Sequence, residues 1–256
     1  MKKFGLVGGV GYLSTLEYYR LINEGFQKRV RHQSKSGDNP PMVIESLNLA
    51  VAYGLVEKKD WKGFADLFVD AIHVLHGAGA EFAAIAANTA HIVFEEIQAR
   101  SSIPVIGIVD ETCKRAKSLG CRKLVVFGTG FTMKSGMYEA KCVQYGLEAV
   151  VPNEADQQAI HDIIFPNLEA GIVLEHERAA MLEIAKKLLA EHQADALVLG
   201  CTELPLAIKN DDLDTVLLDT GLIHIDAILD YMVSVGNFLS QYPHLLGPMS
   251  DTSCGR

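Results

Sequence analysis

The stretches AEFAAIAANT, residues 80–89, and ADALVLGCTE, residues 194–203, follow the same pattern at two places in the chain. Each begins with alanine and an acidic residue, continues as a short apolar run and ends in a polar turn. A short apolar run bounded in this way is typical of a buried strand. When the two stretches are overlaid, Ala87 coincides with Cys201. An alanine therefore stands in one half of the chain where a thiol stands in the other.

A second pair of stretches supports an internal repeat. GGVGYLSTLEY, residues 8–18, overlays GTGFTMKSGMY, residues 128–138. Both open with glycine after an apolar run and end on tyrosine. Two such pairs in the same order indicate that the chain is built from two related halves.

Apolar runs alternate with longer amphipathic stretches along both halves. Apolar residues at helical spacing predict helices over residues 15–30, 60–79, 90–100 and roughly 222–239. Strands and helices in alternation predict an α/β fold whose parallel sheets are covered on both faces. The predicted strands are FGLVG (4–8), MVIESL (42–47), FAAIAA (82–87), PVIGIV (104–109), KLVVFG (123–128), LEAVV (147–151), DALVLG (195–200) and TVLLD (215–219).

The composition narrows the class of protein. The 256 residues are 49% hydrophobic, which is enough for a sizeable core. A formal net charge of -9 and the absence of long basic runs argue against nucleic acid and anionic membranes as partners. No apolar run approaches the ~20 residues that a membrane span needs. We therefore expect a small-molecule ligand and a cytoplasmic protein.

The five cysteines form no CxxC pair, which argues against a disulfide framework or a metal site. A single cysteine is most often a small buried apolar residue. Cys201 differs from the others because it follows a predicted strand, and ligands of open α/β sheets bind beyond the strand ends. Backbone N–H groups of the following helix would favour its thiolate. We expect the other four cysteines to have structural roles only. Cys113 and Cys142 fall in predicted helices, Cys121 in a turn and Cys254 in the C-terminal tail.

Five motifs, in this order and at this spacing, resemble those of the aspartate/glutamate racemase family: GGVGYLST (8–15), AANTAH (86–91), FGTGFTMKSGMY (127–138), GCTELPL (200–206) and LLDTGLIHIDAI (217–228). The resemblance implies two pseudo-symmetric domains, each a parallel-rich sheet flanked by helices, with the active site in the cleft between them. We expect the first domain to comprise residues 1–110 and about 218–256, and the second about 111–217. The implied activity is amino-acid racemisation without pyridoxal phosphate or another cofactor, in a homodimer.

In such enzymes two cysteines face opposite sides of the substrate's α-carbon, and each exchanges a proton on its own face. The resemblance assigns Cys201 to one of these positions and Ala87 to the other. It also implies a set of groups that hold the α-carboxylate and α-ammonium of the substrate, comprising backbone amides near Gly8 and Gly9 and the side chains of Asn88, Thr89, Thr129, Thr132, Thr202 and Glu203.

Two histidines belong to the resembling motifs. For His91 two interpretations are open: it replaces the missing base, or it only forms hydrogen bonds where its helix begins. His224 matches a family histidine, and we expect it to order Cys201 or the substrate.

The sequence departs from the family pattern in two places. Ala87 has a methyl group that carries no proton, so either the chain naturally lacks this base or it is a Cys-to-Ala variant made to trap a ligand. Residues 157–159 are Gln, Gln and Ala where members acting on acidic amino acids often have a basic residue. Recognition of a carboxylate side chain usually requires Arg or Lys, and Lys134 is the candidate. An amino acid or a dicarboxylate is the expected ligand.

Two other functions remain open at this point. One is a single-cysteine relative, because arylmalonate decarboxylases have a similar fold and protonate one face with one thiol. The other is a non-catalytic small-molecule binder that has retained only the cleft.

Overall fold

Each half of the chain forms its own four-stranded parallel sheet in the computed structural model, which describes residues 1–30 and 39–234. The first sheet comprises β1 (Phe4–Gly8), β2 (Met42–Ser46), β3 (Phe82–Ile85) and β4 (Val105–Ile106). The second comprises β5 (Lys123–Gly128), β6 (Glu148–Val150), β7 (Ala196–Gly200) and β8 (Val216–Asp219). All pairings are parallel.

The helices fill the connections between the strands. They are α1 (Tyr12–Val30), α2 (Leu49–Glu57), α3 (Trp61–Gly77), α4 (Phe94–Arg100), α5 (Ile108–Ser118), α6 (Gly130–Lys134), α7 (Met137–Tyr145), α8 (Glu154–Ile164), α9 (Glu175–His192), α10 (Leu204–Ala207) and α11 (Thr220–Ser234). Short 3₁₀ helices cover Thr89–Val93 and Leu168–Ala170. Residues 235–239 of the predicted last helix, and the tail with Cys254, lie outside the described residues.

The two sheets have the same strand order, β2-β1-β3-β4 and β6-β5-β7-β8. The strand registers also correspond: Phe4 pairs with Phe82, and Leu124 pairs with Ala196. These two pairs are equivalent under the sequence overlays, since residue 4 overlays 124 and residue 82 overlays 196. The predicted two-domain, pseudo-symmetric α/β fold is thereby confirmed.

Successive side chains of β1 and β3 point to opposite faces of the first sheet, and both faces are buried. On one face Val7 and Ile85 pack with Phe68 of α3. On the other, Leu6 packs with side chains of α1 and α11. Helix α11 thus returns to the first sheet from the second half of the chain. The proposed domain boundaries, 1–110 with about 218–256 and about 111–217, remain a prediction.

The second sheet is covered in the same way. Val125 and Leu197 face α8 and α9, while Val126 and Val198 face α5 and α7. Helices therefore cover both faces of each sheet. A ligand has access at the carboxyl ends of the strands.

The predicted strand over residues 104–109 is wrong in its second half. Only Val105 and Ile106 form β4, and Ile108 begins α5. The reason is that Ile108, Thr112 and Ala116, spaced four residues apart, are all buried and so define a helical face.

In the part of the chain that the structure describes, no helix is both long and apolar enough to cross a bilayer.

Candidate active site

A cavity lies at the carboxyl ends of the strands and is lined by both halves of the chain. Including the open solvent at its mouth, it contains about 520 Å³ of empty space. Most of its polar lining follows the ends of three buried strands, β3, β5 and β7. The lining residues are Val10, Gly11, Leu49, Ala52, Tyr53, Val56, Phe64, Ala87, Asn88, Thr89, Thr129, Glu169, Gly200, Cys201, Thr202 and Glu203.

Cys201 directly follows β7 and is only 7% exposed. Its thiol donates a hydrogen bond to Oε2 of Glu203 at 2.9 Å, and the hydroxyl of Thr202 donates to the same oxygen at 2.9 Å. Burial, and then the charge of Glu203, raise the pKa of the Cys201 thiol well above its ordinary value. The thiol is therefore protonated at neutral pH.

The expectation that backbone amides favour a Cys201 thiolate is correct in direction for one contact, but this contact does not decide the pKa of the thiol. The backbone N–H of Glu203 does lower the thiol's pKa, but burial and the carboxylate have larger effects in the opposite direction. Helix α10 is also only four residues long and begins at Leu204. A single turn supplies little of the dipole that a longer helix would.

Ala87 lines the same cavity from the first half of the chain. It lies two residues beyond the end of β3 and is 7% exposed, like Cys201. The backbone equivalence predicted from the repeat therefore places a methyl group and a thiol at matching strand ends.

The side chain of Asn88 is held by groups from the second half of the chain. The Tyr138 hydroxyl donates to its Oδ1 at 2.7 Å, and its Nδ2 donates to Oγ1 of Thr220 at 3.0 Å. The Thr220 hydroxyl in turn donates to the Leu199 carbonyl at 2.8 Å. The roles of Tyr138 and Thr220 were not evident from the sequence, although both residues belong to the motifs that resemble the racemase family.

Three predicted threonines meet where the two halves of the chain come together. The Thr89 hydroxyl lies 3.4 Å from the hydroxyls of both Thr129 and Thr132, which are 3.3 Å apart. Thr129 also caps α6 by accepting from the Thr132 backbone N–H. Thr89 and Thr129 line the cavity, whereas Thr132 is 1% exposed and lies outside the lining.

His91 is not placed to act as a proton carrier, because both of its ring nitrogens are engaged by the backbone. Nδ1 donates to the Ala87 carbonyl at 2.9 Å, and Nε2 accepts from the Ile108 N–H at 3.1 Å. Burial lowers the pKa of His91 to about 4, so the ring is neutral. Of the two interpretations of His91, the arrangement agrees with the hydrogen-bonding one.

The expected role of His224 is wrong for a similar reason. Its Nδ1 accepts from the Tyr18 hydroxyl at 2.8 Å, and its Nε2 donates to the Ile106 carbonyl at 2.9 Å. The ring is fully buried, which lowers the pKa of His224 to about 3. It joins α11 to α1 and β4 instead of ordering Cys201.

Gly8 and Gly9 are also placed differently from the expectation. The Gly9 amide donates to Oγ1 of Thr15 at 2.9 Å, and the Gly8 carbonyl accepts from the Leu47 N–H. Gly9 has φ +80°, and a Cβ there would lie 2.2 Å from the Leu47 carbonyl oxygen. These glycines shape the turn after β1, and Val10 and Gly11 line the cavity in their place.

Two lining residues that the sequence analysis missed form a pair. The Tyr53 hydroxyl donates to Oε1 of Glu169 at 3.1 Å. Burial, and then the charge of Glu203, raise the pKa of Glu169 to about 7. Tyr53 comes from α2 and Glu169 from the second 3₁₀ helix, so neither belongs to a resembling motif.

Lys134, the candidate for recognising an acidic side chain, lies outside the cavity lining, and so does the segment 157–159 that lacks a basic residue. Gln157 is buried on α8 and donates to the Pro152 carbonyl, while Gln158 and Lys134 are exposed. No Lys, Arg or His is among the lining residues that the structure describes. Within residues 1–30 and 39–234, no group of three or more His, Cys, Asp or Glu residues is placed to hold a metal ion.

Comparisons with known proteins agree with this geometry. Residues 7–228 match the family model described as Asp/Glu/Hydantoin racemase. The chain belongs to this racemase family. It is 26% identical over 217 residues to the broad specificity amino-acid racemase RacX of Bacillus subtilis (strain 168), covering 85% of this chain and 92% of that protein.

Two solved structures are similar over nearly their whole length. A putative Asp/Glu racemase from Yersinia pestis has a TM-score of 0.83 and 32% identity, covering 91% of this chain and 100% of that one. An aspartate racemase homologue from Pyrococcus horikoshii OT3 has a TM-score of 0.76 and 31% identity, covering 91% and 99%. These relatives support an isomerase of amino acids.

Proposed function

We propose that this member of the racemase family exchanges the α-proton of an amino acid without a cofactor, using Cys201 as its one thiol carrier. The observation that supports this most directly is that Cys201 and Ala87 occupy equivalent strand ends and line one cavity. A thiol is available on one side of the substrate and a methyl group on the other.

Removal of an α-proton requires a site that stabilises the carbanion. An α-proton beside a carboxylate is very weakly acidic, so hydrogen-bond donors must stabilise the negative charge that develops when it leaves. The amide of Asn88 and the hydroxyl of Thr89 line the cavity and can supply such donors, whereas the Thr202 hydroxyl already donates to Glu203. Asn88 is fixed by Tyr138 and Thr220, so its orientation is set before the substrate binds.

The proton balance begins at Cys201. Its thiol passes a proton along its hydrogen bond to Glu203, which leaves a thiolate and a neutral carboxylic acid. The thiolate then takes the α-proton from the substrate face that it contacts. When Cys201 returns a proton to that same face, the starting enantiomer is regenerated. Inversion needs a second carrier on the opposite face, where Ala87 has none.

The experiment is α-proton exchange in deuterated water. Each enantiomer of the common amino acids is incubated with the protein, deuterium incorporation is followed by NMR, and inversion is followed by chiral chromatography. We expect exchange in one enantiomer to be far faster than inversion, and Cys201→Ser to abolish it. Equal rates of exchange and inversion, or exchange that survives in Cys201→Ser, would contradict the proposal.

A second candidate is favoured by the same one-sided site. A single thiol is sufficient to protonate one face of a carbanion formed by loss of carbon dioxide. Arylmalonate is therefore included in the assay, and its decarboxylation without amino-acid exchange would select this alternative. Binding without either reaction would select the non-catalytic binder. The homodimer and the cytoplasmic location expected from the sequence remain predictions.

A further inference from the structure

The charged residues that line the cavity are two glutamates, Glu169 and Glu203. An acidic substrate side chain would bring a further negative charge into this partly buried space, in addition to the substrate's own α-carboxylate. Like charges placed together cost free energy, and the cost grows as water is excluded. The hydrogen-bond donors near Cys201 serve the α-carboxylate, and the lining has no Arg or Lys for a second, side-chain carboxylate.

The two glutamates have separate surroundings. Glu203 accepts from Cys201 and Thr202 and so lies at the reacting end of the cavity. Because the α-carbon must lie beside Cys201, the α-ammonium group lies next to the pair of Cys201 and Glu203, which carries one negative charge whichever of the two holds the proton. Glu169 belongs to a different segment and is held by Tyr53 from the first half of the chain.

The hydrogen bonding of Glu169 is incomplete. Tyr53 donates to Oε1, and among the described residues Oε2 has no hydrogen-bond donor. The Tyr53 ring is fixed against Phe131 and Phe165, with ring centroids 6.1 and 5.2 Å away. A rigid tyrosine therefore holds the carboxylate in one place with one oxygen available.

The rest of the lining suits a substrate side chain with an apolar stem. Leu49, Ala52 and Val56 of α2, with Phe64 of α3, form an apolar wall beside Tyr53. Methylene groups of long cationic side chains pack on such surfaces while the charged end reaches a polar group.

We propose, building on the proposed function, that the substrate is an amino acid with a cationic side chain and that Glu169 is the residue that binds its amine or guanidinium group. A cation beside Glu169 also offsets the effects of burial and of Glu203 that raise the pKa of this carboxyl group. The site then holds one negative charge for each positive charge of the substrate.

The test compares lysine with norleucine, which has a neutral side chain of similar length, and with glutamate. Dissociation constants are measured by calorimetry and α-proton exchange by NMR, for both enantiomers. We expect lysine to bind at least about tenfold more tightly than norleucine, since a charge-assisted contact contributes about 1.4 kcal/mol or more. Glutamate should bind more weakly than either.

Two variants test the role of Glu169. Glu169→Gln should remove the preference for lysine over norleucine, and Glu169→Lys should shift the preference to glutamate. Glu183→Gln is the matched control, because the side chain of Glu183 is 76% exposed on α9 and lies outside the cavity lining. It should keep the preference for lysine.

The outcomes separate this inference from the proposed function. If Glu169→Gln weakens lysine and norleucine equally, Glu169 binds the α-ammonium group and the inference is overturned. A preference for glutamate in the unaltered protein also overturns it. If lysine binds through Glu169 but no amino acid exchanges its α-proton, the proposed reaction fails and the cationic specificity stands.

Discussion

The thiol of Cys201 donates to the carboxylate of Glu203, only two residues further along the chain, at 2.9 Å. This contact has two opposing effects. The negative charge of Glu203 raises the pKa of the thiol, which keeps Cys201 protonated. The same oxygen is the acceptor to which the thiol can pass its proton. Glu203 therefore controls both how much thiolate is present and how quickly it forms.

The first prediction concerns Glu203→Gln. Removal of the charge should lower the pKa of the Cys201 thiol, although burial will keep it above the ordinary value of about 8.5. The amide is a poor proton acceptor, so α-proton exchange should fall by about 10²-fold or more. Thiolate absorbance at 240 nm, titrated with pH, measures the first effect, and the NMR assay measures the second.

The other cysteines also contribute thiolate absorbance. Subtracting the titration of Glu203→Gln/Cys201→Ser from that of Glu203→Gln isolates the signal of Cys201. An exchange rate unchanged by Glu203→Gln would show that the thiol loses its proton by another path.

The second prediction concerns Ala87→Cys. This change supplies a proton carrier opposite Cys201, and racemisation should rise by at least about a hundredfold, since a positioned carrier contributes ~10²–10⁴ in rate. Chiral chromatography measures the inversion. Adding Cys201→Ser to the variant should remove the gain, because inversion needs both faces. No gain with any common amino acid would contradict the racemase reaction.

Much of the fold is encoded locally and was predictable. KLVVFG matches β5, and the repeat overlays predict that the two halves are equivalent, as the matching strand registers of the two sheets confirm. The apolar pattern carries this information because a buried strand needs an apolar residue at nearly every position. The end of β4 was not predictable in the same way, since Ile108 and Val109 are apolar in either a strand or a buried helix.

The site was predicted only where one short segment supplies it. Ala87, Asn88 and Thr89 lie together after β3, as do Cys201 and Thr202 after β7. The pair of Tyr53 and Glu169 was missed because its members are 116 residues apart and meet only in the folded protein. His91 and His224 were assigned roles in the site for the same reason, since their hydrogen-bond partners come from distant segments.

The third prediction separates stability from catalysis at His91. The pKa of His91 is about 4 in the folded protein and about 6.5 in the unfolded chain. Between these pH values the unfolded chain binds more protons than the folded protein, so the free energy of unfolding decreases as the pH falls from about 6.5 to 4. His91→Gln should reduce that acid sensitivity and also lower Tm, because two buried hydrogen bonds change. The pH profile of α-proton exchange should keep its shape. If one of the pH transitions in the exchange rate disappears in His91→Gln, His91 is a proton carrier after all.

The last prediction uses the titration of Glu169. Its pKa is about 7 in the folded protein against an ordinary value of 4.5, so the folded chain binds more protons between these values. The free energy of unfolding should therefore fall as the pH rises from 4.5 to 7. The Glu169→Gln variant should not show this decrease. The difference in Tm, variant minus unaltered protein, should therefore become more positive between pH 4.5 and pH 8. Glu183→Gln should show no such trend.

The same titration predicts how ligand binding changes with pH. Glu169 faces Tyr53, Glu203 and Cys201, none of which brings a positive charge, so the carboxylate forms only as the pH rises through about 7. Lysine should therefore bind more tightly at pH 8 than at pH 6, while the affinity for norleucine should change little. A bound cation lowers the pKa of Glu169, and calorimetry in buffers of different ionisation enthalpy should detect the proton released near pH 6. Lysine binding that is independent of pH and releases no proton would show that Glu169 does not contact its side chain.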